Sequence, residues 1–552
     1  EHISDQEQRV WLQQMIESGS LRETLPNEQR VAALDQLIKT DTMERYLRRA
    51  YLGQKTFSVE GLDTLIPIMN EIIESSADLG ASEVVIGMAH RGRLATITQV
   101  VRKSLESIFA EFEGHAEYNV DPESEEGFRE GAGDVKYHSG AEGLYVARSG
   151  NSVTVKLASN PSHLEQVNAV AEGYTRARQS LREGSALTHD PDVAVPLIVH
   201  GDAAFTGQGV VAETLNMSAL PGYSTGGTIH VIANNQIGFT TDLNEARSTQ
   251  HPSDLARGFD IPVIHVNADD VDACLAAVRL ASAYRDRYKR DVLIDLIGYR
   301  RLGHNELDEP AYTQPVMYRT IAEHPKVSQL YAEQLKAEGV VSTGQVDGMI
   351  SEYESALAEA QAKVAERGSP SNGGATAEPS GRPPTWTSTA VNTAVSAETL
   401  RRLNDELLQV PDWMTVHPKL VPQLERRRAA MGPGGGIVWA HAESLALSSL
   451  LLEGVPVRLT GQDAERGTFS QRHLVLHDVG EEDEYTPHTG PTYTPIAELE
   501  GARSAIEILN SPLSEAAAIG FEYGYSTQLP GALVLWEAQY GDFANGAQIM
   551  ID

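Results

Sequence analysis

The stretch from Val195 to Thr240 constrains the fold more than any other part of the chain. It contains a short apolar run with the length of a β-strand, Pro196 to His200, then a predicted turn, Gly201 to Ala203, and a predicted helix, Gln208 to Leu220. A second apolar, β-branched run follows at Thr228 to Ala233. Strand, helix and strand in this order predict two parallel strands joined by a right-handed crossover. The sequence therefore predicts an α/β fold.

Polar residues come directly after both predicted strands. Asp202 follows the first strand, and Asn234 and Asn235 follow the second. The carboxyl ends of parallel strands meet at one sheet edge, where open α/β sheets bind ligands. Carboxylate and amide oxygens suit Mg²⁺, and the helix N-terminus after Gly207 favours a diphosphate. The pattern indicates a metal and diphosphate site, while the same residue types are also common in ordinary turns.

Length, charge and cysteine content exclude several classes of protein. A chain of 552 residues is expected to form two or more domains. The net charge of −33 argues against nucleic acid and anionic membrane surfaces as partners. The only cysteine, Cys274, cannot form an intrachain disulfide, which favours a reducing compartment. We see no membrane-length apolar run and no signal peptide, and because Glu1 is not an initiator we expect residues upstream of it.

Periodicity divides the chain into four predicted segments. They are an N-terminal helical segment (1–55), an α/β domain carrying the diphosphate and metal residues (56–325), a helical region with a flexible linker (326–430) and the start of a second α/β domain (431–552). Strands alternate with helices in the first domain, which predicts a doubly wound parallel sheet. The second domain has so few predicted strands that we expect its C-terminal part to be missing.

Three further stretches are predicted to be loops or linkers from their composition. They are the acidic, Gly-rich stretch 113–133, the Pro-, Gly- and Ser-rich stretch 367–389 and the acidic stretch 477–489.

Ten short motifs occur in an order that resembles one family. They are HRGR (90–93), GDVKYH (133–138), NPSHLE (160–165), GDAAFTGQG (201–209), NNQIGFTT (234–241), RRLGHNELDEP (300–310), GQDAERGTFSQRH (461–473), NSPLSE (510–515), GFEYGY (520–525) and LWEAQYGDFANGAQ (535–548). Together they resemble the thiamine-dependent first component of the 2-oxoglutarate dehydrogenase complex, including the actinobacterial 2-oxoglutarate decarboxylase type. The resemblance implies a thiamine diphosphate-binding, transketolase-like fold with doubly wound parallel sheets in two domains.

The resemblance also implies which residues hold thiamine diphosphate and Mg²⁺. Asp202, Asn235 and the carbonyl of Ile237 would bind the metal, and Glu515 would hydrogen-bond a pyrimidine ring nitrogen. Further cofactor contacts are implied for Arg91, Gly201, Ala203, Gln462, Leu513 and either Phe521 or Tyr525, one of which would stack on the pyrimidine. The alternatives are ordinary ones: both aromatic residues also suit a hydrophobic core, and Glu515 also suits the first turn of a helix.

Several histidines resemble the polar groups that bind a dicarboxylate substrate and pass protons. Catalytic roles are implied for His90, His138 and His304, besides Glu515. Substrate binding is implied for His90, His138, Ser162 and His163. Two carboxylates on one substrate would explain why several imidazoles gather in one pocket. The sequence does not decide which histidine would face which carboxylate. A single histidine in a polar turn is more often a residue that only makes local hydrogen bonds than a catalyst.

The function implied by the resemblance is oxidative decarboxylation of 2-oxoglutarate, a reaction of the tricarboxylic acid cycle. The succinyl group would pass to a lipoyl-bearing succinyltransferase component. A homodimer is implied, with no nucleic acid or membrane partner, in the cytoplasm of a bacterium or the mitochondrial matrix of a eukaryote. Alternatives are a 2-oxoadipate dehydrogenase component, a non-oxidative 2-oxoglutarate decarboxylase and a cofactor-free scaffold subunit. A dinucleotide-binding dehydrogenase is disfavoured, because no G-x-G-x-x-G follows a first strand.

Three features depart from the pattern of the family. Thr206 stands where a smaller residue is expected, and His251-Pro252 stands in a loop where an aromatic residue is common. The acidic stretch near Asp121 to Arg129 is longer than expected. These departures concern loop closure and substrate range rather than the cofactor.

Overall fold

Contacts between residues divide the chain into two compact units. The first contains Glu1–Arg176 and Pro191–Ser380, and the second contains Ala177–Asp190 and Gly381–Asp552. The computed structural model describes residues 2–19, 25–114, 138–305, 307–367, 392–480 and 490–551. The predicted loops 113–133 and 477–489, the predicted linker 367–389 and the motif 133–138 lie largely outside these residues. The four predicted segments are not tested by this division and stay a prediction.

The helices and strands are labelled in chain order. The helices are α1 (Gln6–Ser18), α2 (Asn27–Ala50), α3 (Leu65–Asp78), α4 (Arg93–Gln99), α5 (Leu105–Glu113), α6 (Gln166–Gln179), α7 (Asp202–Gly207), α8 (Gly209–Met217), α9 (Leu243–Ala246), α10 (Val271–Tyr288), α11 (Pro315–Glu323), α12 (Val327–Ala337), α13 (Thr343–Arg367), α14 (Ala397–Leu407), α15 (Val421–Ala429), α16 (Trp439–Glu453), α17 (Ala516–Gln528) and α18 (Gln548–Ile551). The strands are β1 (Glu83–Met88), β2 (Ala141–Val146), β3 (Ser152–Leu157), β4 (Ser180–Glu183), β5 (Ala186–His189), β6 (Ala194–Gly201), β7 (Ile229–Asn234), β8 (Val263–Asn267), β9 (Val292–Ile297), β10 (Val457–Gly461), β11 (Leu476–His477), β12 (Thr492–Tyr493), β13 (Ile506–Asn510) and β14 (Leu533–Glu537). None of the helices in these described ranges is long and apolar enough to cross a lipid bilayer.

A seven-stranded sheet forms the centre of the first unit. Its strand order is β2-β3-β1-β6-β7-β9-β8, and every neighbouring pair is parallel except β2 and β3. Every residue of β1 and β7 is buried, as expected for a parallel sheet covered by helices on both faces. This arrangement confirms the predicted doubly wound α/β fold. The antiparallel edge strand β2 was not predicted.

The central stretch folds as predicted in its strands and differs in its helix. Strands β6 and β7 are parallel neighbours, paired from Leu197 with Ile229 to Gly201 with Ala233. The predicted helix Gln208 to Leu220 was too long, since α8 covers Gly209–Met217. The predicted turn after Gly201 is the start of α7, with Asp202 in the first helical turn. A carboxylate there is favoured by the helix dipole.

Two glycines bring the segment before α3 against the end of β9. A Cβ on Gly61, whose φ is +103°, would lie 2.2 Å from the carbonyl oxygen of Tyr299. A Cβ on Gly298 would lie 2.4 Å from the carbonyl oxygen of Gly61. The amide of Tyr299 donates to that same carbonyl oxygen of Gly61, at 3.3 Å. This close approach holds residues 57–61 beside the carboxyl edge of the sheet.

The second unit is built on a three-stranded parallel sheet in the order β13-β10-β14. Arg458 of β10 is 1% exposed, and its guanidinium binds Glu522 of α17 at 2.7 Å and Glu507 of β13 at 3.2 Å. A buried arginine is tolerated because both partners and their hydrogen bonds compensate its lost hydration. The predicted parallel strands of this second α/β region are confirmed.

We expect Gly61→Ala to destabilise the first unit by about 3 kcal/mol, because it combines a left-handed φ with a steric clash. Two control variants separate these effects. Gly80→Ala, at φ +95° with open space around it, should cost only about 1 kcal/mol. Gly258→Ala, which has open space and no left-handed φ, should cost nothing. Urea unfolding curves measure all three, and equal stabilities for Gly61→Ala and Gly80→Ala would contradict the close approach.

A buried acidic cluster predicts the pH dependence of stability. Burial raises the pKa of Asp63 to about 8, with a further contribution from the charge of Glu44, and burial raises the pKa of Glu44 to about 7, with a further contribution from Glu60. A carboxyl group whose folded pKa exceeds its unfolded value binds more protons in the folded state, so stability falls as the pH rises through about 4 to 8. Asp63→Asn should flatten this fall in the free energy of unfolding, whereas Asp286→Asn on the surface should not. The same slope in Asp63→Asn and the parent would contradict the assignment.

Candidate active site

A cavity of about 650 Å³ opens at the carboxyl edge of the sheet in the first unit. It is bounded by the loops that follow β1, β6, β7 and β9. The structure brings many of the predicted residues to this cavity, namely His90, Arg91, Gly201, Asp202, Ala203, Asn235, Ile237 and His304. Their convergence follows from the strand order, because β1, β6, β7 and β9 are consecutive neighbours in the sheet.

Asp202 is the strongest candidate for a metal ligand in this cavity. Its side chain is 3% exposed, and its Oδ2 atom has no hydrogen-bond donor among the described residues. Burial raises the pKa of this carboxyl to about 6, against the opposing effect of Arg247. The Nη1 atom of Arg247 lies 3.5 Å from Oδ2. A buried carboxylate oxygen without a donor is costly unless a cation compensates it.

The turn after β7 presents Asn235 and Ile237 beside Asp202. The backbone is strained there, since Gln236 and Phe239 have φ values of +64° and +58°. Gly238 permits the close packing of this turn on the turn after β6, because a Cβ on it would lie 2.7 Å from the Cβ of Ala203. Backbone strain of this kind is retained when the surrounding structure enforces it, often at functional sites.

The two asparagines of this turn have different tasks. Asn234 donates from Nδ2 to Oδ1 of Asp295 at 2.9 Å, inside the sheet. The Oδ1 atom of Asn235 accepts from the amide of Ile237 at 3.3 Å, next to the cavity. Asn234 therefore positions the turn, and Asn235 has the oxygen available for a ligand.

Two histidines and an arginine form the opposite wall of the cavity. The rings of His90 and His304 are 5.4 Å apart, and Phe57 packs against both. Burial, with smaller contributions from Arg91 and other cations, lowers the pKa of His90 to about 3 and that of His304 to about 4. Both imidazoles are therefore neutral at physiological pH and act as hydrogen-bonding groups. Arg91 donates to the carbonyl oxygens of Ser58, at 2.7 Å, and His304, at 3.2 Å.

The other predicted substrate residues lie outside this lining. His138 is buried, and its Nε2 atom lies 3.4 Å from Oγ of Ser162. It contributes to the lowered pKa of His90, after burial and other cations. Ser162 and His163 are exposed. Leu164 and Glu165 of the same motif line the cavity instead, so the roles of Ser162 and His163 stay a prediction.

A buried polar network behind the cavity was not anticipated. Glu165 and His200 both line the cavity, and Oε2 of Glu165 lies 2.6 Å from Nδ1 of His200. Nε2 of His200 lies 3.0 Å from Nδ1 of His230, whose Nε2 lies 3.1 Å from Oδ2 of Asp291. The partners come from four separate places in the sequence, so only the fold reveals the network.

The second unit places Glu515 and Gln462 together. Glu515 precedes α17 and is half-buried, and its Oε1 atom accepts a hydrogen bond of 2.9 Å from Nε2 of Gln462. Gln462 directly follows β10 and is 4% exposed. The two side chains therefore lie at the carboxyl edge of the second sheet, where ligands bind in parallel sheets.

The predicted stacking role of Phe521 and Tyr525 does not fit the structure. Phe521 is 1% exposed and Tyr525 is fully buried, and the guanidinium of Arg458 lies 5.5 Å and 4.5 Å from their ring centres. Both rings are enclosed by this cation and the core, so neither can present a face to a ligand. This corrects the assignment in favour of the core alternative.

Other apolar side chains of the second unit remain exposed at its carboxyl edge. Leu513 is 83% exposed beside Glu515. Phe469, Tyr540 and Phe543 are also exposed and form edge-to-face pairs, with ring centres 5.8 Å and 5.5 Å apart. They belong to the loops after β10 and β14. An exposed aromatic residue there suits a stacked ring better than Phe521 does.

The sequence matches two family descriptions, in agreement with this geometry. Residues 38–372 match "Dehydrogenase E1 component", and residues 435–552 match "Transketolase, pyrimidine binding domain". The first match covers more than half of the chain. The chain belongs to the dehydrogenase E1 component family.

Curated relatives are similar to this E1 chain along its whole length. It is 48% identical to the 2-oxoglutarate dehydrogenase E1 component of Bacillus mycoides (strain KBAB4) over 571 residues, covering 100% of this chain and 56% of that protein. It is also 48% identical to the protein of that name from Geobacillus kaustophilus (strain HTA426) over 557 residues, covering 100% of this chain and 57% of that protein. The chain thus spans about half the length of the curated relatives it matches.

The two family matches imply thiamine diphosphate with Mg²⁺, and the residues present fit this group. In the first unit, Asp202 has a buried carboxylate oxygen without a hydrogen-bond donor among the described residues, and Asn235 and Ile237 line the same cavity. Mg²⁺ prefers such oxygen ligands. In the second unit, the Glu515 and Gln462 pair offers a carboxylate and an amide to a heterocycle.

We expect Asp202→Asn to weaken Mg²⁺-dependent binding of thiamine diphosphate by at least about tenfold, because it removes the only charge among the three candidate ligands. Fluorescence or calorimetric titration of the cofactor, with and without Mg²⁺, measures the effect. Asp286→Asn, an exposed carboxylate of the same unit, is the matched control. An unchanged cofactor affinity in Asp202→Asn would show that the metal site lies elsewhere.

Proposed function

We propose that the protein is the E1 component of a 2-oxoglutarate dehydrogenase complex. The observation that carries this proposal is the fit of the cofactor residues: in one unit the buried Oδ2 atom of Asp202, to which no described residue donates a hydrogen bond, and in the other unit the Glu515–Gln462 pair. The names of the relatives support 2-oxoglutarate as the substrate. A degenerate scaffold subunit would have no reason to retain all of these residues.

The proposed reaction removes carbon dioxide from 2-oxoglutarate and passes the remaining succinyl group to a lipoyl group. The lipoyl disulfide accepts the two electrons, so that one sulfur carries the succinyl group and the other becomes a thiol. Bound thiamine diphosphate supplies the electron sink for the loss of carbon dioxide. In this chain Asp202, Asn235 and the carbonyl of Ile237 would hold Mg²⁺, Arg91 would contact the diphosphate, and Glu515 would bind the pyrimidine.

The wall of the cavity supports an anionic substrate. Neutral imidazoles such as those of His90 and His304 can donate a hydrogen bond to a carboxylate without the cost of a buried charge. Arg91 and Arg300 line the same cavity, and their charges add positive potential. A 2-oxo dicarboxylate, with one charge at each end, suits this combination of neutral donors and cations.

Partners and location are part of the same proposal. We infer a lipoyl-bearing succinyltransferase component as the acceptor and a homodimer as the active form. The relatives are bacterial, which favours the cytoplasm over a mitochondrial matrix.

A substrate panel tests the proposal with the full-length protein. Carbon dioxide release from 2-oxoglutarate should require thiamine diphosphate and Mg²⁺, with ferricyanide as electron acceptor. A higher kcat/KM for 2-oxoadipate would favour that relative instead, and release without any acceptor would favour the non-oxidative decarboxylase. No release from any 2-oxo acid by a protein that binds the cofactor would contradict an E1 activity.

We expect Glu515→Gln to retain cofactor binding and to lower the rate of carbon dioxide release by about 10² to 10⁴, because an amide cannot exchange a proton with the pyrimidine. Cofactor titration and single-turnover rates separate the two effects. Glu453→Gln, an exposed residue at the end of α16, should match the parent in both measurements. Full activity in Glu515→Gln would refute the assigned role of this carboxylate.

A further inference from the structure

Two histidines and an aspartate converge on one face of the first unit's sheet, and none of the three is among the residues assigned to Mg²⁺. The ligand atoms of His251, His265 and Asp295 all lie within 4.8 Å of one another. No other such group of three or more histidine, cysteine or acidic residues occurs in the described part of the chain. In the sequence, His251 stands out only as a departure from the family pattern, because an aromatic residue is common at this position.

The sheet itself aligns two of the three side chains. His265 on β8 and Asp295 on β9 are partners in the parallel register, so they point to the same face. Nε2 of His265 lies 3.6 Å from Oδ2 of Asp295. His251 precedes the 3₁₀-helix Pro252–Phe259 that covers this face, and its ring centre lies 4.3 Å from that of His265.

Asp295 gives the cluster a fixed carboxyl ligand. Its side chain is fully buried, its Oδ1 accepts from Asn234 at 2.9 Å and its Oδ2 accepts from Ser253 at 2.8 Å. Such hydrogen bonds orient a carboxylate in the way that outer-shell partners orient metal ligands. The His265 side chain is 31% exposed, so an ion can reach the cluster from solvent.

A nucleophilic triad does not explain this cluster. Oγ of Ser253 contacts both Nε2 of His265, at 3.1 Å, and Oδ2 of Asp295, at 2.8 Å. In a triad the carboxylate would instead bind the far nitrogen of the imidazole. The acid here competes with the imidazole for the same hydroxyl, so Ser253 is not activated.

We propose that His251, His265 and Asp295 bind one divalent transition metal ion of the zinc class. Two imidazoles and one carboxylate form a common ligand set for Zn²⁺, with water in the fourth position. Ligand atoms around tetrahedral zinc lie about 3.4 Å apart, which follows from metal–ligand distances of about 2.1 Å. The His265–Asp295 pair is close to this spacing at 3.6 Å, and the His251 ligand atom, within 4.8 Å of both, would have to move inward when the ion binds.

The test is a titration of the full-length protein with Co²⁺, without thiamine diphosphate and in excess Mg²⁺. Binding at this site should give one equivalent with the intense visible bands of four- or five-coordinate cobalt, and Zn²⁺ should displace it. An absence of these bands at stoichiometric Co²⁺ would overturn the proposal. Activity plays no part in this readout, so the result is independent of the proposed enzymatic function.

Single substitutions test which side chains bind the metal ion. His251→Phe, which restores the aromatic residue common in the family, and His265→Gln should each lower Co²⁺ affinity roughly tenfold or more, since even outer-shell losses cost that much. His324→Gln is the matched control, because His324 pairs with the single carboxylate of Asp269 at 2.8 Å and lacks a second imidazole. Circular dichroism confirms folding of each variant. Undiminished cobalt bands in both His251→Phe and His265→Gln would overturn the assignment.

Discussion

The parallel pairing of β6 with β7 is the constraint on which the candidate site depends. It fixes Gly201 opposite Ala233, so Asp202 and Asn235 emerge at the same sheet edge. The neighbouring pairs β1–β6 and β7–β9 then add His90, Arg91 and His304 to that edge. The buried Asp202 carboxylate is costly in isolation, and the Arg247 guanidinium and backbone amides offset only part of that cost, since the pKa of this carboxyl is still raised to about 6. The fold thus maintains a place for positive charge where the strands end.

Much of the fold could be predicted from the sequence, because both faces of the sheet are buried. Strands such as β1 and β7 are continuous apolar runs, and their length and flanking turns distinguish them from helices. The start of α7 was missed because Gly-Asp-Ala has the composition of a turn, although Asp202 also suits a first helical turn. The antiparallel strand β2 and the hairpin of β4 and β5 carry no comparable apolar run.

The position of a site residue could be predicted from the sequence where that residue directly follows a strand. It was harder to predict where contacts with residues far away in the sequence determine the role of the side chain. Asp202 and Asn235 each follow a predicted strand, so the sequence already predicts the sheet edge at which they lie. Phe521 and Tyr525 were ambiguous, because helical spacing alone does not separate a core ring from a stacking ring. Arg458, more than sixty residues earlier in the sequence, decides the matter by covering both rings. The contacts among His251, His265 and Asp295 likewise required the register of β8 and β9.

The network of Glu165, His200, His230 and Asp291 links the wall of the cavity to hydrogen bonds inside the fold. Its four groups make three successive contacts. Burial lowers the pKa of His200, so its neutral imidazole donates from one ring nitrogen and accepts at the other. The direction of its hydrogen bond with Glu165 at the cavity wall therefore sets the direction of its contact with His230.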